Sequence, residues 1–236
     1  MLKIKLDHVA LGMQSIADAE PFLEGVLGGV KAGGFDGSPP FGFMQWVYAN
    51  DARIEVIYPI GADGFLHRFL ARGGPRVHHA TFKVSSLDEM LERATALGYG
   101  IASQDRSDPY WQEAFLHPKQ ALGIVIQLVE HKPRPDNFDP ADARPRADAA
   151  SVIGPRLVAP SAAAARRQWS ELLGGSELGS GDALAFGWPD SPLTIAVDID
   201  AGAEPGPRCI EVRAQRALAL PEREVPKLGA RFVQRR

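Results

Sequence analysis

The apolar positions of this chain fall into short alternating runs and helical stripes that recur in one order. Residues 4–11 alternate as a strand, Ser15 and Asp18 offer an amino-terminal cap, and residues 19–27 carry a helical pattern that Gly28-Gly29 stops. Pro21 fits that helix only near its first turn. Gly33-Gly34-Phe35-Asp36-Gly37 reads as a mobile loop, and residues 43–49 and 53–58 read as strands joined by the turn Asn50-Asp51. A short helix at 65–70 links to a second round. Residues 77–84 are strand-like, and Ser86 and Glu89 form a capping box before the stripe Leu87, Met90, Leu91, Ala94, Leu97. Gly98 closes that helix, and residues 99–103, 111–116 and 124–129 read as three strands.

Residues 131–150 break the pattern with prolines and charges, as a linker does. Beyond it, residues 155–159 and a helical stretch at 162–173 end in Leu173-Gly174-Gly175, echoing Leu27-Gly28-Gly29. Superposing the two triplets puts Gly154 where His8 stands, and residues 193–199 resemble a last strand without a His or Glu at the chelating place. Residues 209–212 and 218–229 look like a fourth unit cut short. The expectation is an α+β fold of tandem βαβββ modules forming a curved mixed sheet cup, with a degenerate third and a truncated fourth module. Residues 1–130 would be the paired metal-binding domain, 131–150 a Pro-rich linker, and 151–236 a degenerate companion without metal ligands.

Composition narrows the function classes. With 26 basic and 29 acidic residues the net charge is −3, which argues against a nucleic-acid surface. No run of about 20 apolar residues points to a membrane span, and the amino terminus lacks signal-peptide order. Cys209 is the single cysteine, so neither a disulfide framework nor a thiolate cluster is expected. A cytoplasmic protein acting on a small molecule, with a homodimer allowed for, fits these totals.

Chemistry enters through four side chains. His8 and His79 lie on the opening strands of the two units, and Glu55 and Gln127 follow them by 47 and 48 residues on the closing strands. Two imidazoles, a carboxylate and an amide brought to the floor of a cup would suit one divalent ion such as Zn, Co, Ni, Fe or Mn, with positions left for water or substrate. His78 points to the opposite face from His79, because strand side chains alternate.

Asp7-His8-Val9-Ala10, Val77-His78-His79-Ala80, Phe115-Leu116-His117-Pro118-Lys119 and Gly123-Ile124-Val125-Ile126-Gln127-Leu128 resemble the vicinal oxygen chelate (glyoxalase/bleomycin resistance/dioxygenase) superfamily. The nearest likeness, over residues 4–130, is to its methylmalonyl-CoA epimerase branch. The resemblance implies a metal held by His8, Glu55, His79 and Gln127, and a metal-stabilised enolate of a small carbonyl or acyl-thioester substrate. Two departures stand out: Glu and Gln are exchanged between the units, and Gln45 and Gln127 occupy the places of the epimerase bases. Amides cannot take a proton near neutral pH. The candidate bases are then Glu55, if it leaves the metal, and His117, which stands ten residues before Gln127 as Gln45 stands ten before Glu55; Glu113 is the reserve. Gln45, Trp46, Tyr48 and Trp111 could wall a substrate pocket, and Lys119 could meet an anionic group. The reading is a metal-dependent isomerase or lyase. Its alternative is a non-enzymatic binding protein that sequesters a small molecule, and Gln127 argues against ring-cleaving dioxygenase chemistry.

Overall fold

The structure, a computed structural model, describes residues 2–38, 40–133, 144–178 and 184–236. Two mixed sheets make up the α+β architecture, and each is built from the same parallel pairing. In the eight-stranded sheet the order is β2-β3-β4-β1-β5-β8-β7-β6. Its strands are β1 (Ile4–Gly12), β2 (Val30–Ser38), β3 (Phe41–Val47), β4 (Arg53–Pro59), β5 (Arg76–Val84), β6 (Ile101–Asp108), β7 (Trp111–Leu116) and β8 (Val125–His131). The first strand of each module runs parallel to the last: β1 with β4, placing Ala10 opposite Glu55, and β5 with β8, placing Thr81 opposite Gln127. The seven-stranded sheet has the order β10-β11-β12-β9-β13-β15-β14. It comprises β9 (Ser151–Ala159), β10 (Ser176–Leu178), β11 (Leu184–Gly187), β12 (Thr194–Ile199), β13 (Gly206–Arg213), β14 (Glu224–Val225) and β15 (Ala230–Arg235). Here β9 pairs parallel with β12 and β13 with β15, so the rule holds in all four modules. The fourth passes from β13 to β14 without a helix, which is what makes it short.

Three local findings depart from the sequence reading. Residues 33–37, expected as a loop, belong to β2, an edge strand paired with β3 through two register shifts that accommodate the glycines. β6 runs on through polar residues to Asp108 and is exposed over most of its length, the hydrophilic edge that discourages pairing between sheets. The helical stretches of the first and third modules are wound wider than α. Pro21–Val26 is π-helical, and so is Arg167–Leu172 after the α-turn α3 (Ala162–Arg166). Leu27 N reaches Phe22 O at 3.0 Å and Leu173 N reaches Gln168 O at 3.1 Å, five residues back in both. The echoed triplets then stop both in one way: Gly29 N bonds Leu23 O and Gly175 N bonds Trp169 O. The helices α1 (Phe65–Gly73) and α2 (Leu87–Ala96) are ordinary, and Ser86 Oγ accepts from Glu89 N at 3.2 Å to cap α2.

The chain forms two compact units. One comprises Met1–Asp7, His79–Phe138 and Pro155–Arg208. Its core holds Phe82 and Trp169, both fully buried, with Phe82 edge-on to Trp188 at 5.1 Å. Burying each such ring contributes about 2–3 kcal/mol. Arg93 and Arg167 tie the helices together by donating to the backbone oxygens of Glu171 and Leu97. The other unit comprises His8–His78, Asp139–Gly154 and Cys209–Arg236. There Phe22 packs on Phe232 at 4.7 Å, and Lys227 pairs with Asp18 at 2.7 Å. The described end of the expected linker is packed rather than loose: Ala150 N donates to Leu27 O, and Asn50 bonds Val152 through both its amide atoms. Residues 134–143 of that linker lie outside the described residues.

Candidate metal centre

In the first module the parallel register decides which side chains meet. Gln45 lies opposite Glu55, and Glu55 lies opposite Ala10, two residues past His8. Gln45 Nε2 donates to Glu55 Oε2 at 2.8 Å, and Arg53 Nη1 donates to Gln45 Oε1 at 3.2 Å. His8 Nε2 stands 3.4 Å from the same Glu55 oxygen. His8 is 1% exposed and Glu55 8%, and a carboxylate that deep needs polar company. Gln45 supplies some of it and, through Arg53, connects the carboxylate to a cation at the sheet surface.

The second module repeats the register with different chemistry. Thr81 Oγ1 donates to Gln127 Oε1 at 2.6 Å, and Gln127 Nε2 donates to Glu113 Oε2 at 2.7 Å. A carboxylate only accepts, so Glu113 fixes which end of the amide is nitrogen. Trp111 Nε1 donates to the same oxygen of Glu113 at 2.9 Å. His79, on β5 two residues before Thr81, is buried.

His8, Glu55 and His79 make the group that fits a metal ion: all three are buried, and each offers one ligand atom within 4.8 Å of the others. Donors about 2.0–2.2 Å from a common ion lie roughly 3–3.5 Å apart, so the side chains need close by about 1–2 Å at most. Two imidazoles and one carboxylate suit a borderline divalent ion and leave coordination positions over. Gln127, the fourth expected ligand, has both ends of its amide engaged, by Thr81 and by Glu113.

The other expected residues divide by face. Trp46 and Tyr48 are fully buried on the helix-covered side of β3, where Trp46 Nε1 donates to Glu24 and Tyr48 lies against Gly29. That placement takes them away from a pocket wall, because Gln45 occupies the opposite face. His117 is exposed beyond the end of β7, where its Nδ1 accepts from Lys119 N at 3.1 Å; Lys119 is exposed in the same turn. Residue counting fails there because the β7–β8 connection is longer than the β3–β4 one: Phe115, not His117, lies opposite Gln127. Glu113, the reserve candidate, holds the place with hydrogen-bonded access to Gln127. His78 packs on Phe69 at 4.7 Å, and burial, aided by the charge of Arg76, lowers its pKa to about 4 against an opposing pull from Glu55. In the third module the places of His8 and Glu55 fall to Gly154 and Ala196: Gly154 stands two before Arg156, whose register partner is Ala196. Thr81 escaped the sequence reading, although its position two residues beyond His79 and on the same face marked it. Among the described residues no helix is long and apolar enough to cross a membrane.

The chain is similar to several known proteins. The uncharacterized protein YqjC of Bacillus subtilis (strain 168) is 28% identical over 130 residues, covering 54% of this chain and 93% of YqjC. A methylmalonyl-CoA epimerase from Mycobacterium tuberculosis is 25% identical and covers 54% of this chain and 88% of its own, with a TM-score of 0.48. A hypothetical protein from Staphylococcus aureus shares the fold along the whole length: TM-score 0.66 at 11% identity, covering 98% of this chain and 99% of that one. Residues 7–115 match the family model of the Glyoxalase/Bleomycin resistance protein/Dioxygenase superfamily, so this stretch of the chain is similar to that superfamily.

Proposed function

We propose that the protein is a metal-dependent isomerase or lyase of a small carbonyl or acyl-thioester substrate, in the manner of the epimerase branch. The observation that carries this reading is the buried group of His8, Glu55 and His79. These three would hold one divalent ion of the Zn, Co, Ni, Fe or Mn type, which supplies charge stabilisation for a substrate oxygen. Residues 1–130 would then be the working domain, and 151–236 a companion without ligands.

The base in this reading is Glu113. Its Oε2 accepts from both Trp111 and Gln127, which orients the carboxyl and leaves Oε1 for a proton. In the step proposed, the C–H bond next to the substrate carbonyl breaks, its electron pair forms the C=C bond of the enolate as the C=O π pair moves onto oxygen, and the proton goes to Glu113 Oε1. Glu55 serves as ligand, held by Gln45. Substrate contact falls to Gln45 and Trp111, with Lys119 and His117 left to the exposed turn.

A second reading has its own support. Gln45 and Gln127 are amides at both places where the epimerase likeness calls for a base, which suits a sequestering protein of the bleomycin-resistance type. Two measurements separate the readings. Protein purified without added metal should contain about one divalent ion per chain, and solvent deuterium should enter methylmalonyl-CoA or a related thioester in its presence. Metal without exchange in any thioester or ketone tried favours sequestration; no metal at all ends the enzyme reading.

A further inference from the structure

The rows of side chains beyond Glu55 are aromatic. Cross-strand partners share a face, so Gln45 with Glu55, Phe43 with Ile57, and Phe41 with Pro59 form successive rows on one side of the sheet. Adjacent rows are about 7 Å apart at two residues per step. Phe35 on β2 lies opposite Phe43, with the rings 6.4 Å apart, and Phe35 is 50% exposed. Ile57 is paired with Gly12 on β1, and a side chain at Gly12 would strike the ring of Phe69 at 2.7 Å. Helix α1 therefore lies over that row, and its Phe65, 36% exposed, meets Phe41 edge-on at 5.5 Å.

Two features set this surface apart from ordinary core. Its rings are partly open to water, and it continues directly from the Gln45–Glu55 row. A large apolar surface left in water is costly at about 25 cal/mol per Å² and recovers that cost only when something apolar covers it. Gly12 serves the same end: with no side chain there, Phe69 can close the far end of the surface.

We infer that the substrate carries an aryl or extended alkyl group, placed one to two strand rows beyond its metal-bound oxygens and received by Phe35, Phe41 and Phe43 under α1. This inference rests on the metal reading of His8, Glu55 and His79 and adds the substrate class. A short, highly polar acyl group would leave the aromatic rows uncovered.

Hydroxamates test it, because they chelate a divalent ion through two neighbouring oxygens and differ only in their tails. Metal uptake by the full chain is measured first with Zn²⁺. The Zn²⁺-loaded protein is then titrated calorimetrically with acetohydroxamate and with 3-phenylpropionohydroxamate. The phenyl compound should bind at least about tenfold tighter. Phe43→Ser and, on the more exposed ring, Phe35→Ser should each remove most of that preference while leaving acetohydroxamate binding unchanged. Equal affinity of the two hydroxamates for loaded protein, or a preference that survives both variants, would overturn the inference while the metal reading stands. Failure to take up Zn²⁺ would instead overturn the metal reading, and this inference with it.

Discussion

Gln127 donates its amide hydrogen to Glu113 at 2.7 Å, so the residue expected to bind metal is also the partner of the carboxylate proposed as base. In the first module the corresponding amide, Gln45, donates to a carboxylate that faces His8. One amide–carboxylate pair thus recurs in both modules with its members exchanged between strands: Gln45 on β3 with Glu55 on β4, then Glu113 on β7 with Gln127 on β8. In the proposed reading the exchange gives one carboxylate to ligation and leaves the other for proton transfer.

Glu113→Gln should lower solvent-deuterium incorporation into substrate about 100-fold or more, the usual weight of a general base. Zn²⁺ affinity should stay within about threefold of wild type, since Glu113 lies outside the ligand group. His117→Ala should leave exchange unchanged. Mass spectrometry of recovered methylmalonyl-CoA, or of a better substrate once found, reads both.

Thr81 is fully buried and gives its hydroxyl to Gln127. Thr81→Val keeps the shape and removes that donor, which should cost about 1–3 kcal/mol in urea unfolding. A loss below about 0.5 kcal/mol would mean that the bond contributes nothing net.

Two glycines with similar φ should answer differently to alanine. Gly229 has φ +59, and a Cβ there would come within 1.6 Å of the Pro75 carbonyl oxygen; Gly74 has φ +67 and open space around it. Gly74→Ala should cost about 1–3 kcal/mol, the strain alone of a backbone region that is nearly confined to glycine, at ψ −171. Gly229→Ala must also push the last module away from the start of β5 and should cost at least about 2 kcal/mol more. Thermal unfolding of the two variants side by side checks the difference.

Glu130 accepts from Leu87 N at the start of α2, and that bond holds its carboxyl below the ordinary carboxylate range. A group with a lowered folded pKa contributes its stability above the unfolded value, about 4.3, and loses it as pH falls through the folded value. Glu130→Gln should therefore be less stable than wild type at pH 7 by about 1 kcal/mol, with the gap closing as pH drops toward 3. Urea midpoints across pH give the comparison.

Much of this arrangement is legible in the sequence. The alternation around His8 and His79, the Ser86 cap and the Leu-Gly-Gly stops give the module order, because each is a local signal that tertiary packing does not override. The parallel register then places Glu55 and Gln127 alike without further information. What the sequence hides is non-local. β2 is glycine-rich and forms because β3 offers it an edge, not because its residues favour strand. The π-winding before Leu27 and Leu173 changes the hydrogen-bond step with little mark on the apolar stripe. Trp46 and Tyr48 read as pocket aromatics until the helix side of β3 is known, and His117 reads as Gln45's counterpart until the longer β7–β8 connection is seen.

The most direct test is a Co²⁺ titration of metal-stripped protein, followed by the visible absorption of the bound ion. The account predicts saturation at about one Co²⁺ per chain, and loss of tight binding in His8→Ala, Glu55→Gln and His79→Ala taken singly. Saturable binding that persists in all three variants would place the ion elsewhere and contradict the account, as would a wild-type protein that binds none.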